Sequence, residues 1–272
     1  MLHPLIRDWL QLRVCLKERQ TYTHQVIDMI VSSLQTYAKR GSDAMAKQSV
    51  LLHMDAVIMT MKDFFKDGHQ LCQDIMSCIN AGIFASFYQD QGRFKASLDL
   101  YCTVLATMVR VLGKDNQGTL TVLNNVAMVL ADQAMYNEAE QTHREVGERS
   151  KRLLGKEHPE TQASMNNLAS VLMRQGKYIE AEQTYREVLG ASMRLLGREH
   201  STTLYTMNSL ATMMTHQGKY NEAEQMHREV VEAEERVLGN EYQLILASKG
   251  NFAVVLRDQK SILRQSRCVG KW

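Results

Sequence analysis

Prolines are scarce in this chain, with only Pro4 and Pro159 among 272 residues. So few breakers leave room for uninterrupted helices and exclude a proline-rich or low-complexity polymer. An excess of one charge is also missing. The 32 basic and 30 acidic side chains leave a net charge of +2, which gives no electrostatic reason to expect nucleic acid as a partner. The five cysteines, Cys15, Cys72, Cys78, Cys102 and Cys268, are scattered and odd in number, and the spacing from Cys72 to Cys78 fits no zinc pair. Reduced thiols are expected, with neither a disulfide framework nor a metal site. No apolar run approaches the length of a bilayer span, and Arg7, Asp8, Arg13, Lys17 and Glu18 interrupt any signal-peptide core. A cytoplasmic chain that does not engage membranes is therefore expected. A phosphate-cradling loop of the form GxxxxGK followed by Ser or Thr is absent too, so nucleotide hydrolysis is not expected of these residues.

What the chain does contain is a period. Leu112-Gly113, Leu154-Gly155, Leu196-Gly197 and Leu238-Gly239 recur at intervals of 42 residues, as do Phe94, Tyr136, Tyr178 and Tyr220. NEAEQTHREV at 137–146, IEAEQTYREV at 179–188 and NEAEQMHREV at 221–230 superimpose letter by letter. Self-similarity at such a period is the mark of a stacked array, so residues that recur belong first to architecture and only then to chemistry.

The unit at residues 159–200 shows how one repeat folds. Pro159 suits the first helical position, where a missing N–H costs nothing, and Glu160 puts a negative charge at the positive end of the helix dipole. Met165, Leu168, Ala169 and Leu172 follow at the spacing of a buried helical stripe. Gly176 then ends the helix in a position suited to left-handed backbone. Tyr178 enters the turn, and Ala181, Tyr185 and Val188 form a second stripe. The unit predicts a helical hairpin whose two stripes one hairpin alone leaves exposed, so neighbours must stack. Glu140 before Arg144, Glu182 before Arg186 and Glu224 before Arg228 read as i,i+4 pairs on a solvated face, worth about 0.3–0.5 kcal/mol each.

The pattern Asn-Asn-Leu-Ala at 166–169, Gly-Lys-Tyr at 176–178, Glu-Ala-Glu at 180–182 and Leu-Gly at 196–197 resembles the tetratricopeptide repeat of kinesin light chains and their relatives. That resemblance implies an all-α, right-handed solenoid. It covers residues 81–259, about four and a half units: a diverged unit at 81–116, three regular units at 117–158, 159–200 and 201–242, and the first helix of a fifth. Two departures stand out. Ala134 replaces the turn glycine, and Gly82-Ile83 stands where the other units carry the asparagine pair.

Residues 1–80 do not follow the period, and their helical spacing with turn signals at Gly41-Ser42 and Gly68 predicts a helical adaptor. HPLIRDWLQLRV at 3–14 resembles the sequence that closes the winged-helix part of fungal NB-ARC signal-transduction NTPases, in which the same kind of repeat follows a helical linker. By that resemblance the chain would be the C-terminal sensor of an ATP-dependent switch. A Walker A motif upstream of Met1 in the gene would decide for that reading, and a gene beginning at Met1 for a free-standing scaffold. At the other end Lys260 stands where a turn glycine belongs, and KSILRQSRCVGKW at 260–272 predicts a basic tail without a second helix, hence an uncapped array able to self-associate.

No catalytic, cofactor or metal residues emerge. The binding candidates are asparagines. Asn124-Asn125, Asn166-Asn167, Asn208-Ser209 and Gly250-Asn251 fall at matched positions of the first helices, the first about 100° from the buried stripe and the second nearly opposite it. Both are expected to face outward. The resemblance implies that the first helices line a concave groove, where an amide carrying donors and an acceptor grips the backbone of an extended peptide. The alternative is that the asparagines hydrogen-bond between repeats and fix their stacking. Met128 and Asp132, Ser170 and Arg174, and Thr212 and His216 would vary the groove from unit to unit. The peptide-binding set is therefore Asn124, Asn125, Asn166, Asn167, Arg174, Asn208, His216 and Asn251, and the expected partner is a protein or peptide. His143 and His227, in slots equivalent to Tyr185, read as packing residues.

Overall fold

The computed structural model of the chain describes residues 51, 52, 54, 55, 75–238 and 243–269. HPLIRDWLQLRV lies outside the described residues. Among those described, nine helices and no strand occur, in two compact units divided between Gln133 and Ala134. The first unit holds α1 (Ile75–Asp90), α2 (Phe94–Leu112) and α3 (Gln117–Asp132). The second holds α4 (Tyr136–Leu154), α5 (Pro159–Arg174), α6 (Tyr178–Leu196), α7 (Ser201–His216), α8 (Tyr220–Leu238) and α9 (Gln243–Val269).

Within the second unit the hairpins at 159–200 and 201–242 form where the period places them. Leu168, Ala169 and Leu172 of α5 pack with Ala181 and Tyr185 of α6 and with Leu210, Met213 and Met214 of α7, so one stripe serves its own hairpin and the next. Ala169, Ala181, Ala211 and Ala223 are fully buried, which lets the helices approach closely. Gly176 adopts φ 77° and closes α5 by a Schellman pattern, with Gly176 N donating to Met173 O at 3.0 Å and Lys177 N to Leu172 O at 2.9 Å. The joints between repeats recur as well. Thr119, Thr161 and Thr203 hydroxyls donate to the carbonyls of Gly113, Gly155 and Gly197 at 2.8, 2.9 and 2.8 Å. Asn116, His158 and His200 cap the first helices by accepting from a backbone N–H two residues on.

The glutamates do more than the i,i+4 reading expects. Glu140 accepts from Lys177 Nζ at 2.7 Å as well as from Arg144, and Glu182 accepts from Lys219 Nζ at 3.0 Å and Gln217 Nε2 at 3.2 Å. Each is nearly buried, with side chains only 13 % and 12 % exposed. Burial works against both carboxylates, but the lysine of the following turn and its neighbours outweigh it and hold each pKa below the ordinary carboxylate value. The Glu of one hairpin therefore clamps the turn of the next.

Three further departures have physical causes. Met54 is buried with Phe84, Ala85 and Tyr88, and Asp55 accepts from the Tyr88 hydroxyl and from Arg93 Nη1, both at 2.6 Å, so this stretch is part of the first unit's core. Helix α9 does not stop at Lys260 but runs to Val269. Among its described side chains Ile245, Ser248 and Val255 are buried while Ala247 and Ala253 are exposed, because α9 packs on α8 and no later helix covers its other side among the described residues. Finally, Ala134 occupies the left-handed region at φ 61° in place of the glycine found at the equivalent turns. An L-residue there costs roughly 1–2 kcal/mol, partly offset by glycine's extra freedom when unfolded. Ala134→Gly is accordingly expected to stabilise the chain by about 0.5–1 kcal/mol, read as a raised urea midpoint; an unchanged or lowered midpoint would contradict this reading of the turn.

Candidate functional site

In each unit a second helix supplies a floor and two first helices the walls, over Tyr101 in the first and over Tyr185 in the second. Tyr101, His143, Tyr185 and His227 occupy one repeat position at intervals of 42 residues, and all four are buried. In the first unit the Tyr101 hydroxyl is in hydrogen-bonding reach of Ser86 on α1 and Asn125 on α3; burial pushes its pKa up, the nearby Asp90 charge adds to this, and those two hydrogen bonds oppose it. In the second unit burial likewise pushes the Tyr185 phenol up, with Tyr205 adding to the effect and Ser170, Ser209 and Arg174 opposing it. Both phenols thus end at the level where adjacent first helices face each other. His143 and His227 fill the same slot without a hydrogen-bond partner on either ring nitrogen. Desolvation lowers each pKa to about 4.

Over Tyr101 lies an open groove of about 530 Å³ between α1 and α3, lined by Ile79, Gly82, Ile83, Ser86 and Asp90 on one side and Thr121, Val122, Asn125 and Met128 on the other. Over Tyr185, Ser170 and Arg174 from α5 face Ser209 and Tyr205 from α7, and Tyr205 is 56 % exposed. Such walls combine aromatic surface, hydroxyls and amides, which suit an extended chain that needs its backbone groups satisfied. Among the described residues no cluster of three or more His, Cys, Asp or Glu is placed to hold a metal ion, and no helix is long and apolar enough to cross a membrane. Among the described residues Cys78, buried, and Cys102, exposed, are in no disulfide.

The two asparagine positions separate in space. Asn125 stands on the groove at Tyr101, and Asn167 and Asn251 are half-buried at the equivalent place. At the first position Asn166 behaves differently. Asn166 is buried, 3 % exposed, and its Nδ2 donates to the Thr206 hydroxyl at 2.9 Å, which corrects its expected outward placement. A side chain about 100° from the stripe points not to solvent but at the first helix of the next hairpin once the hairpins stack. Asn208 is half-buried with its Oδ1 enclosed, and Asn124 is half-buried with its Nδ2 3.9 Å from Met128 Sδ. Asn166 therefore joins α5 to α7, as the stacking alternative requires. Arg174 is exposed at the end of α5 with its charge near Tyr185, and His216 is exposed at the end of α7. Asn166→Ala is expected to lower stability by about 1 kcal/mol, because the Thr206 hydroxyl loses its donor in a buried site. Melting with no loss of stability would return Asn166 to the groove.

Sequence reasoning missed Tyr101 and Tyr205 as parts of this site, although the alternation of Tyr and His every 42 residues was a readable signal. Comparison with known proteins agrees with the geometry. The family model described as Tetratricopeptide repeat matches residues 76–151, 119–189 and 160–236, which together cover more than half of the chain. Among solved structures, a Podosopora anserina kinesin light chain-type protein of nearly identical TPR-like repeats superimposes with a TM-score of 0.59 at 18% identity, over 80% of this chain and 97% of that one. BtubC (BKLC) from P. vanneervenii does so with a TM-score of 0.55 at 13% identity, over 85% and 95%. The apo form of RapI gives 0.60 at 15% identity, over 89% and 84%. At these identities the likeness speaks for the fold alone. No curated protein matches the chain.

Proposed function

Because the chain belongs to the tetratricopeptide repeat family, whose fold generally mediates protein–protein interaction, we propose that it is a noncatalytic scaffold that binds an extended peptide or a peptide-like segment of a partner domain along its first helices. The observation that carries this reading is the groove over Tyr101, where Asn125 and Ser86 present polar groups from facing helices above a buried phenol. An amide at such a place satisfies backbone N–H and C=O groups whatever the ligand's side chains, while Met128, Arg174 and Tyr205 select among them. Asn125, Asn167 and Asn251 are the backbone-gripping residues in this reading, with Asn124 and Asn208 beside them; Arg174 and His216 add charge, and Asn166 ties α5 to α7.

The test is selection of a random dodecapeptide library on the purified chain, followed by titration of the enriched peptides. Asn125→Ala and Asn167→Ala are each expected to weaken binding about three- to tenfold, the loss of one hydrogen bond of roughly 0.5–1.5 kcal/mol, while the melting temperature stays nearly unchanged. Equal affinity in both variants would remove these asparagines from the site. The exposed Leu246 and Val254 of α9 are proposed as a self-association face; sedimentation as a monomer at every concentration would contradict it.

A further inference from the structure

Gly82 sits in the middle of α1, where a glycine weakens a helix. Neither packing nor backbone explains it. A Cβ built there meets nothing within 4 Å, and its φ is not positive. What the missing side chain does is leave room between the groove walls: at this repeat position α3, α5 and α7 carry Asn124, Asn166 and Asn208, and α9 carries Gly250. With Ile83 in place of the second asparagine, the walls gain an apolar patch of Ile79, Ile83, Val122 and Met128 above Met108 of α2, and two of these, Ile79 and Met128, are 48 % and 38 % exposed. About 530 Å³ is room for a bulky side chain.

Charge then selects the neighbour of that side chain. Asp90 is the one charged residue among those lining the groove, and its field reaches the Tyr101 hydroxyl at the floor. A second carboxylate, Asp132, is held at the same end by Gln89 Nε2 at 2.7 Å. Gln89 itself lines the groove.

Resting on the peptide-binding reading above, we infer that the first-unit groove takes a bulky apolar side chain of the ligand, aromatic or long aliphatic, with an adjacent Lys or Arg that meets Asp90. The apolar side chain enters over Gly82 and displaces water from Ile83, Val122 and Met128. The cation lies toward the C-terminal end of α1, where an acidic rim attracts it in a salt-dependent way.

The experiment is the dodecapeptide selection repeated on the wild-type chain and on Gly82→Met, Gly82→Ala and Asp90→Asn. Both glycine replacements favour helix, so loss of folding is not the expected cause of any effect, and circular dichroism melting checks this. The wild type is expected to enrich peptides with an apolar residue beside Lys or Arg. Gly82→Met, which fills the groove, should abolish that enrichment and weaken a fluorescein-labelled enriched peptide about tenfold or more, with Gly82→Ala intermediate. Asp90→Asn should keep the apolar preference, lose the basic one, and bind with affinity less sensitive to salt than the wild type. Enrichment of peptides without an apolar and basic pair, or of the same pair undiminished by Gly82→Met, overturns the inference and leaves the general groove reading standing. Failure of the wild type to enrich any peptide overturns both.

Discussion

Lowering the pH from about 7.5 to about 5 is expected to remove roughly 2 kcal/mol of stability for each of His143 and His227. Both imidazoles are 1 % exposed, and neither ring nitrogen has a hydrogen-bond partner. Desolvation lowers each pKa from 6.5 to about 4. In that window the unfolded chain binds protons that the folded chain refuses, so stability is complete above pH 6.5 and falls by about 1.4 kcal/mol per pH unit per histidine as the pH drops toward 4. Urea midpoints measured at the two pH values read the effect. The double variant His143→Tyr, His227→Tyr, which places at these slots the residue already present at Tyr101 and Tyr185, is expected to lose most of the acid sensitivity. A wild-type midpoint that does not change between the two pH values would show that the imidazoles find partners or solvent in the folded state.

The second large effect is expected at Tyr185. Its ring is buried with Leu168, Leu172, Leu210 and Met213, at the meeting of α5, α6 and α7. Tyr185→Ala opens a cavity shared by two hairpins and is expected to cost about 3–5 kcal/mol, as for other large aromatic truncations. Tyr185→Phe keeps the ring and removes only the hydroxyl near Ser170 and Ser209, so it should cost about 0.5–1.5 kcal/mol. In a stacked array one such cavity weakens its neighbours' interface as well, because each hairpin gains its stability partly from the next. If Ala and Phe destabilise equally, the contribution lies in the hydroxyl and not in the packed ring.

The hairpins were legible because their signals are local. Leu168, Ala169 and Leu172, the left-handed Gly176, and Ala181, Tyr185 and Val188 all do what their spacing requires. What the spacing within one helix did not reveal are contacts made between hairpins, by residues some 36–40 positions apart. Asn166 looks outward on an isolated wheel but reaches Thr206 when the next hairpin is in place, and Glu140 looks like half of a surface pair but also takes Lys177. The groove suffers from the same limit. Its floor comes from a second helix and its walls from two first helices, so Tyr101, Ser86 and Asn125 belong to one site though no short segment contains them. The course of α9 past Lys260 is a different kind of miss: an absent turn glycine suggests the end of order, whereas without a breaker a helix simply continues.

Site-specific photo-crosslinking is the most direct test of the claim that ligands lie along the first helices. A benzophenone side chain placed at Tyr205, which is 56 % exposed on the groove wall, is compared with one at Ile179, which is 84 % exposed at the start of a second helix. With a peptide selected by the chain as the probe, crosslinking is expected from position 205 and not from position 179, and an excess of unlabelled peptide should compete it away. Crosslinking from position 179 with none from position 205 would place the ligand on the second helices and contradict the account.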